Sequence, residues 1–339
     1  MNTVFDGLSS TLQSKVRKNI EPGWVSPMLA TLTGEAFSRP GWLFEPKLDG
    51  ERCLGLRSGD HVELISRNQK SLNNKYPELV TTLENQEATS FAVDGEIVTF
   101  EGQVTSFAKL QRRMQVQHPS EELRRSVPVF FYLFDLLVLE GVDIRQLPLR
   151  ERRKLLANSV LFKDPLRITA YRETEGEAYF EEACRKGWEG IIAKAGDSIY
   201  SSGRSPDWLK FKCINEQEFV IGGYTDPKGS RIGFGALLVG YYKSGKLEYA
   251  GKVGTGYDTN TLENLLARLT KLETKSSPFA AKGISERSVH WVRPKLLAQI
   301  GFAEWTRDGK LRQPRFLGLR FDKDAKEVVR EKNQVVEKK

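Results

Sequence analysis

The sequence predicts an α+β domain over residues 1–213, a small β-barrel over 214–325 and a charged tail over 326–339. Three observations carry this expectation. Apolar runs of strand length alternate with helical stretches as far as Cys213. Beyond it the chain turns to short strand-like pieces separated by glycine-rich turns. One leucine stripe at helical spacing interrupts those pieces.

In the first part, WLFEPKLDGERCL (42–54) alternates apolar and polar residues, the pattern of a strand. FAVDGEIVTF (91–100), WEGIIAK (188–194) and WLKFK (208–212) read as further strands. PVFFYLFDLLVL (128–139) is apolar almost throughout, as a strand covered on both faces should be. PLRERRKLLA (148–157) begins with a proline suited to a first helical turn, and ETEGEAYFEEACRKG (173–187) ends in basic residues and a glycine. In the second part EFVIGGYT (218–225), GALLVGYYKSG (235–245) and KLEYAGKVGTG (246–256) read as strands. A helix with Leu262, Leu265, Leu266, Leu269 and Leu272 on one stripe follows, then strands around 296–305 and 315–321. Three strands, a helix and two strands suit a five-stranded barrel of the oligonucleotide-binding (OB) type. The tail reads as a solvated terminus.

Composition narrows the function. With 339 residues, 39% hydrophobic and 28% charged, the chain is an ordinary globular one with room for two cores. It shows no signal-peptide pattern and no apolar span of membrane length, so a cytoplasmic location is expected. Cys53, Cys184 and Cys213 are odd in number, dispersed and without a CxxC pair, which argues against a disulfide framework and a zinc site. The three histidines are scattered too, leaving carboxylates as the candidate metal ligands. A net charge of +8 suits a polyanionic partner or a merely basic enzyme.

Charged residues placed inside apolar strands sharpen the reading. Glu45, Lys47 and Asp49 share one side of an alternating run, which fits a wet edge strand or a polar cleft. Asp94 with Glu96, and Lys210 with Lys212, repeat the two-residue spacing, whereas Glu189 and Lys194 face opposite ways in a regular strand. Several such pairs suggest one cleft, with lysines for phosphates and acids for a divalent cation. An ordinary lysine is about one part in a thousand unprotonated at neutral pH. Neighbouring cations would lower that pKa and free Lys47 for attack on phosphorus, while Gly50 lets the backbone turn closely.

KLDG at 47–50 resembles the nucleophile motif of the covalent nucleotidyltransferases: ATP-dependent DNA ligases, RNA ligases and capping enzymes. It is followed in family order by SRN (66–68), DGEIV (94–98), LFDLL (133–137), EGIIAK (189–194), WLKFK (208–212) and RFDK (320–323). FVIGGYT, YAGKVGTGY, SPDWLKFK and FAEWTRDGKLRQPRFLGLR further resemble the ligase module of bacterial end-joining DNA ligases. The resemblance implies an adenylation (nucleotidyltransferase) domain of antiparallel sheets and flanking helices, followed by the OB domain. It implies ATP, held as covalent AMP, and Mg²⁺ or Mn²⁺ as cofactors.

It also assigns roles. Lys47 would form the bond to AMP. Glu45 would lie beside adenine, Arg52 near the ribose or nick phosphate, and Arg67 at the ribose or phosphate. Glu96 would serve ribose or metal, Phe134 would stack on adenine, and Glu189 would bind metal. Arg204, Lys210 and Lys212 would contact the nucleotide. Arg320 and Lys323, with Asp322, would orient the leaving pyrophosphate. Nicked or broken duplex DNA is the implied substrate, a Ku-type end-binding protein the implied partner, and a nucleoid-associated bacterial monomer the expected form. With 46 residues ahead of Lys47 there is no room for an N-terminal DNA-binding domain, so a minimal two-domain ligase or an excised module is expected. Two departures stand out: Gln69 follows SRN where the family often has glycine, and Ala195 and Gly196 replace a more basic pair.

Overall fold

The computed structural model describes residue 5 and residues 7–331, apart from 228, 230, 231, 281–283, 285 and 287. The chain divides into two compact units, residues 1–213 and 214–332.

The first unit holds two sheets. One runs in the order Arg17–Lys18, Val142–Asp143, Phe130–Leu139, Ser90–Val98, Glu51–Ser58, His61–Ser66, with Leu166–Ile168 added parallel to Phe130–Leu139. The other runs Arg172–Glu173, Trp42–Pro46, Gly190–Ala195, Gly203–Lys212, Met28–Leu32, antiparallel except for its last pair. Phe131, Leu133 and Leu136 pack with helices Pro77–Glu84, Phe107–Met114 and Leu149–Ser159 in one core. Leu54, Leu137, Met28 and Trp208 form a second core joining the two sheets. Helix Gly176–Arg185 covers the outer face of the smaller sheet through Tyr179 and Ala183. Phe130–Leu139 is thus covered on both faces, which is why its sequence does not alternate. The Gly176–Arg185 helix stops where expected, with Gly187 at φ +73 just beyond it.

Two expectations are corrected here. Trp42–Pro46 is no wet edge: it pairs on both sides, and Glu45 is buried. Cys184 and Cys213 form a disulfide, which spacing alone missed because the partners lie 29 residues apart and meet only once the helix end packs beside the last strand of the unit. Cys53 is free and buried.

The second unit is OB-like. Its strands run Lys246–Val253, Leu237–Lys243, Glu216–Thr225, Val289–Val292, Glu273–Thr274, while Leu297–Gly301 joins Glu216–Thr225 to Arg315–Arg320. Helix Thr259–Leu269, capped by the Asp258 carboxylate, buries Leu262, Leu265 and Leu269 as the stripe predicts. Among the described residues the expected closed barrel is not formed. The last strand meets the segment after Lys246–Val253 through a backbone hydrogen bond from Phe316 N to Thr255 O. Glu273–Thr274 and Val289–Val292 are strands that short, mixed sequence did not reveal. Gln217 donates to Val329 O and accepts from Glu331 N, so the chain is pinned beyond residue 325; the remainder of the expected tail, 332–339, lies outside the described residues. No described helix is long and apolar enough to cross a membrane.

Candidate active site

Lys47 sits just past the Trp42–Pro46 strand, its N–H donating to Gly190 O. The next turn is forced tight: a Cβ on Gly50 would stand 2.2 Å from Ile97 O, so glycine here admits a neighbouring strand. Asp49 N donates to Thr105 Oγ1, tying this loop to the Phe100–Glu101/Val104–Thr105 hairpin.

Glu189 reaches the same point from the other side. Its strand begins only at Gly190, so the alternation that set Glu189 opposite Lys194 does not apply. Gly190 has φ +149, and a Cβ there would meet Phe211 O at 1.8 Å. That bend delivers Glu189 Oε2 to Lys47 Nζ as an ion pair, with Lys212 Nζ 3.8 Å from Oε1. Burial pushes the Lys47 ammonium toward the neutral form, and so does Lys212. The charge and hydrogen bond of Glu189, helped by Asp49, outweigh them and hold the pKa above the ordinary value. The charge balance around Lys47 therefore runs against the expectation that neighbouring cations free the amine.

A second cluster lines the space between the sheets. Glu45 Oε2 lies 2.6 Å from Lys194 Nζ and Oε1 3.8 Å from Arg153 Nη1, with both members of the closer pair 2% exposed. Glu45 Oε1 has no hydrogen-bond partner. Burial, reinforced by Arg153, keeps Lys194 below the usual lysine range despite Glu45. Lys194 Nζ stands 4.1 Å from the Phe134 ring centre and 4.2 Å from that of Trp208, and the Arg52 guanidinium lies 4.4 Å from Phe134. Phe134 is the residue skipped between Gly95↔Leu133 and Asp94↔Asp135, a β-bulge that turns its ring toward the smaller sheet. Arg52 is held bidentately by Asp94 at 2.6 Å, and Tyr200 Oη donates to the same carboxylate.

The other expected residues are placed as follows. Arg52 faces Glu96 across neighbouring strands, and Glu45, Ile192 and Lys210 are cross-strand neighbours in one row. Arg204 donates to Ala30 O, and Arg67 follows the His61–Ser66 strand. In the second unit Arg320 forks onto Asp322 and Lys323 pairs with Glu218. Lys194, Asp94, Arg153, Trp208 and Tyr200 were not assigned from the sequence. The same-face spacing of Asp94 with Glu96 and the lysine inside EGIIAK were the available signals.

The family model described as "ATP dependent DNA ligase domain" matches residues 27–212, and "ATP dependent DNA ligase C terminal region" matches 230–323. The chain belongs to the ATP-dependent DNA ligase family. The chain is 39% identical over 319 residues to the multifunctional non-homologous end joining protein LigD of Pseudomonas aeruginosa, covering 92% of the chain and 37% of that protein. LigD of Mycobacterium tuberculosis is 37% identical over 328 residues, covering 94% and 41%. The chain thus spans about two fifths of these relatives' length. The solved mycobacterial DNA ligase D complexed with ATP and MES superposes with TM-score 0.64 at 36% identity, covering 91% of this chain and 98% of that one.

Proposed function

We propose that the chain seals 5′-phosphate/3′-hydroxyl joints in DNA through a lysyl-AMP on Lys47 and a DNA-adenylate. The observation that carries this is one basic residue, Lys47, at the meeting point of a carboxylate and a second ammonium, two residues along from Glu45, whose Oε1 has no hydrogen-bond partner. The cluster around Glu45 suits adenine: Glu45 accepts from an exocyclic amine, while Phe134 offers a ring face once Arg52 or Lys194 yields it. Lys210 and Lys212 neutralise the α-phosphate, and Lys47 Nζ displaces pyrophosphate. Arg67, Arg204 and Glu96 hold the sugar and phosphates.

The donor set fits a hard cation supplied with the nucleotide. Among the described residues no three His, Cys, Asp or Glu side chains form a cage, so Glu189 and Glu96 would hold Mg²⁺ alongside phosphate oxygens and water. Bound there, the ion neutralises developing phosphate charge. For Lys47 the requirement is to give up its proton and its carboxylate before it attacks. AMP then passes to a 5′-phosphate, and the 3′-hydroxyl displaces it. By analogy with the LigD relatives, the setting is end joining in a bacterial cytoplasm, with broken DNA as substrate and a Ku-type protein at the ends.

The test is intact mass after incubation with ATP and Mg²⁺. Wild type should gain one AMP, reversed by pyrophosphate, and Lys47→Ala should gain none. An adduct on the variant, or a wild type whose mass neither ATP nor pyrophosphate moves, would overturn the assignment.

A further inference from the structure

The row that carries Arg52 and Glu96 does not end there. Arg52 pairs with Glu96, Glu96 with Tyr132, and Tyr132 with Arg167, on four neighbouring strands of the larger sheet. Cross-strand neighbours stand side by side on one face. The face that holds the nucleotide residues therefore continues directly into Tyr132 and Arg167.

At that end the Arg167 guanidinium lies 3.9 Å from the centre of the Phe130 ring. Its Nη1 donates to Tyr132 Oη at 2.9 Å, and Nε and Nη2 fork onto Asp164. Phe100 meets Phe130 edge-on at 5.7 Å. Phe100 stands on the same hairpin as Thr105, whose hydroxyl holds Asp49 of the nucleophile loop. This platform is thus tied to the reacting lysine by backbone and hydrogen bonds rather than standing apart on the surface.

The way Arg167 is held decides what it can bind. Its edge is engaged by Asp164 and Tyr132, and one face rests on Phe130. The side chain nevertheless remains 34% exposed, which leaves part of it open to a ligand. Asp164 cancels its charge, so the platform offers a phosphate little net attraction. A flat guanidinium fixed on a ring is a stacking surface for a base or sugar, and stacking tolerates any sequence.

We propose that Arg167, positioned by Phe130, Tyr132 and Asp164, stacks on the nucleotide of the DNA strand next to the joint, a DNA-binding subsite separate from the ATP-binding residues. This rests on the ligase reading given above, and the test separates the two. Arg167→Lys keeps the charge and loses the plane; the Asp164→Asn, Arg167→Ala pair keeps the net charge and removes the plane. The readouts are AMP loading from ATP without DNA, and the affinity of the loaded enzyme for a nicked duplex. Both variants should load AMP at the wild-type rate and bind nicked duplex about 10-fold more weakly, the loss of roughly one stacked base. Affinity within twofold of wild type in both variants, full affinity in Arg167→Lys alone, or AMP loading that falls in step with binding would each overturn the proposal. A wild type that never loads AMP would instead overturn the ligase reading.

Discussion

Lys47 and Glu189 form an ion pair at the end of the strand that leads into KLDG. The pairing stores Lys47 as an ammonium, with its pKa held above the ordinary lysine value although burial and Lys212 oppose it.

The first prediction follows from that pair. With its pKa held above the usual lysine value, less than about one part in a thousand of Lys47 is free amine at neutral pH. Glu189→Gln removes the dominant raising influence, leaving burial and Lys212 to push the value down. Labelling of Lys47 by an amine-reactive ester, followed by peptide mass across pH without nucleotide or metal, should show a lower midpoint in the variant. An unchanged midpoint would sink the storage argument. The sign for stability runs the other way. A base whose folded pKa is raised stabilises the fold fully below about pH 10, and that contribution fades as pH rises through the folded value.

Glu45 and Lys194 give the second prediction. Both are buried, so Glu45→Gln strands an ammonium that burial and Arg153 already disfavour. Breaking one side of a buried pair costs about 3–5 kcal/mol. Because the folded state then resists protonating Lys194 while the unfolded chain does not, part of the loss should return as pH rises from 7 toward 9.5. Urea unfolding at the two pH values checks this. A second change, Lys194→Met, should recover much of the stability at pH 7, and a double variant no better than the single one would refute the pairing.

Much of this site was readable because motif residues sit at strand ends and spacing fixes which ones can meet. KLDG, EGIIAK and WLKFK did bring Lys47, Glu189 and Lys212 together. Period-two reasoning failed where the backbone leaves the regular pleat. Glu189 lies outside its strand, and Phe134 is a bulge residue whose direction alternation does not set. Glu45 reads as polar and solvated in one dimension, and only the second sheet explains its burial. The Cys184–Cys213 bridge and the extra strands of the second unit are long-range pairings that no local pattern encodes.

Gly190 carries the third prediction. A methyl group at that position meets Phe211 O, and its φ suits glycine, so Gly190→Ala must move the segment that aims Glu189 at Lys47. Strain of this kind costs about 1–3 kcal/mol. The variant should still fold, melt at a lower temperature and load AMP from ATP about 100-fold more slowly, the scale of a lost positioning contact. Loading at the wild-type rate would show that the bend is not what places Glu189.

The last prediction concerns the bridge between Cys184 and Cys213. It closes a loop across 29 residues, and constraining a loop of that length in the unfolded chain is worth about 3.6 kcal/mol. Thermal melting should therefore fall by several degrees when a dithiol reductant is added to wild type, and should be indifferent to reductant in a Cys184→Ser, Cys213→Ser variant. AMP loading should survive reduction, because Cys213 N still donates to Glu189 O through the backbone. A wild type that melts alike with and without reductant, with both thiols shown free by alkylation after treatment, would mean that the bridge adds nothing to stability. Reductant that abolishes loading while leaving the melt unchanged would mean instead that the bridge aims Glu189.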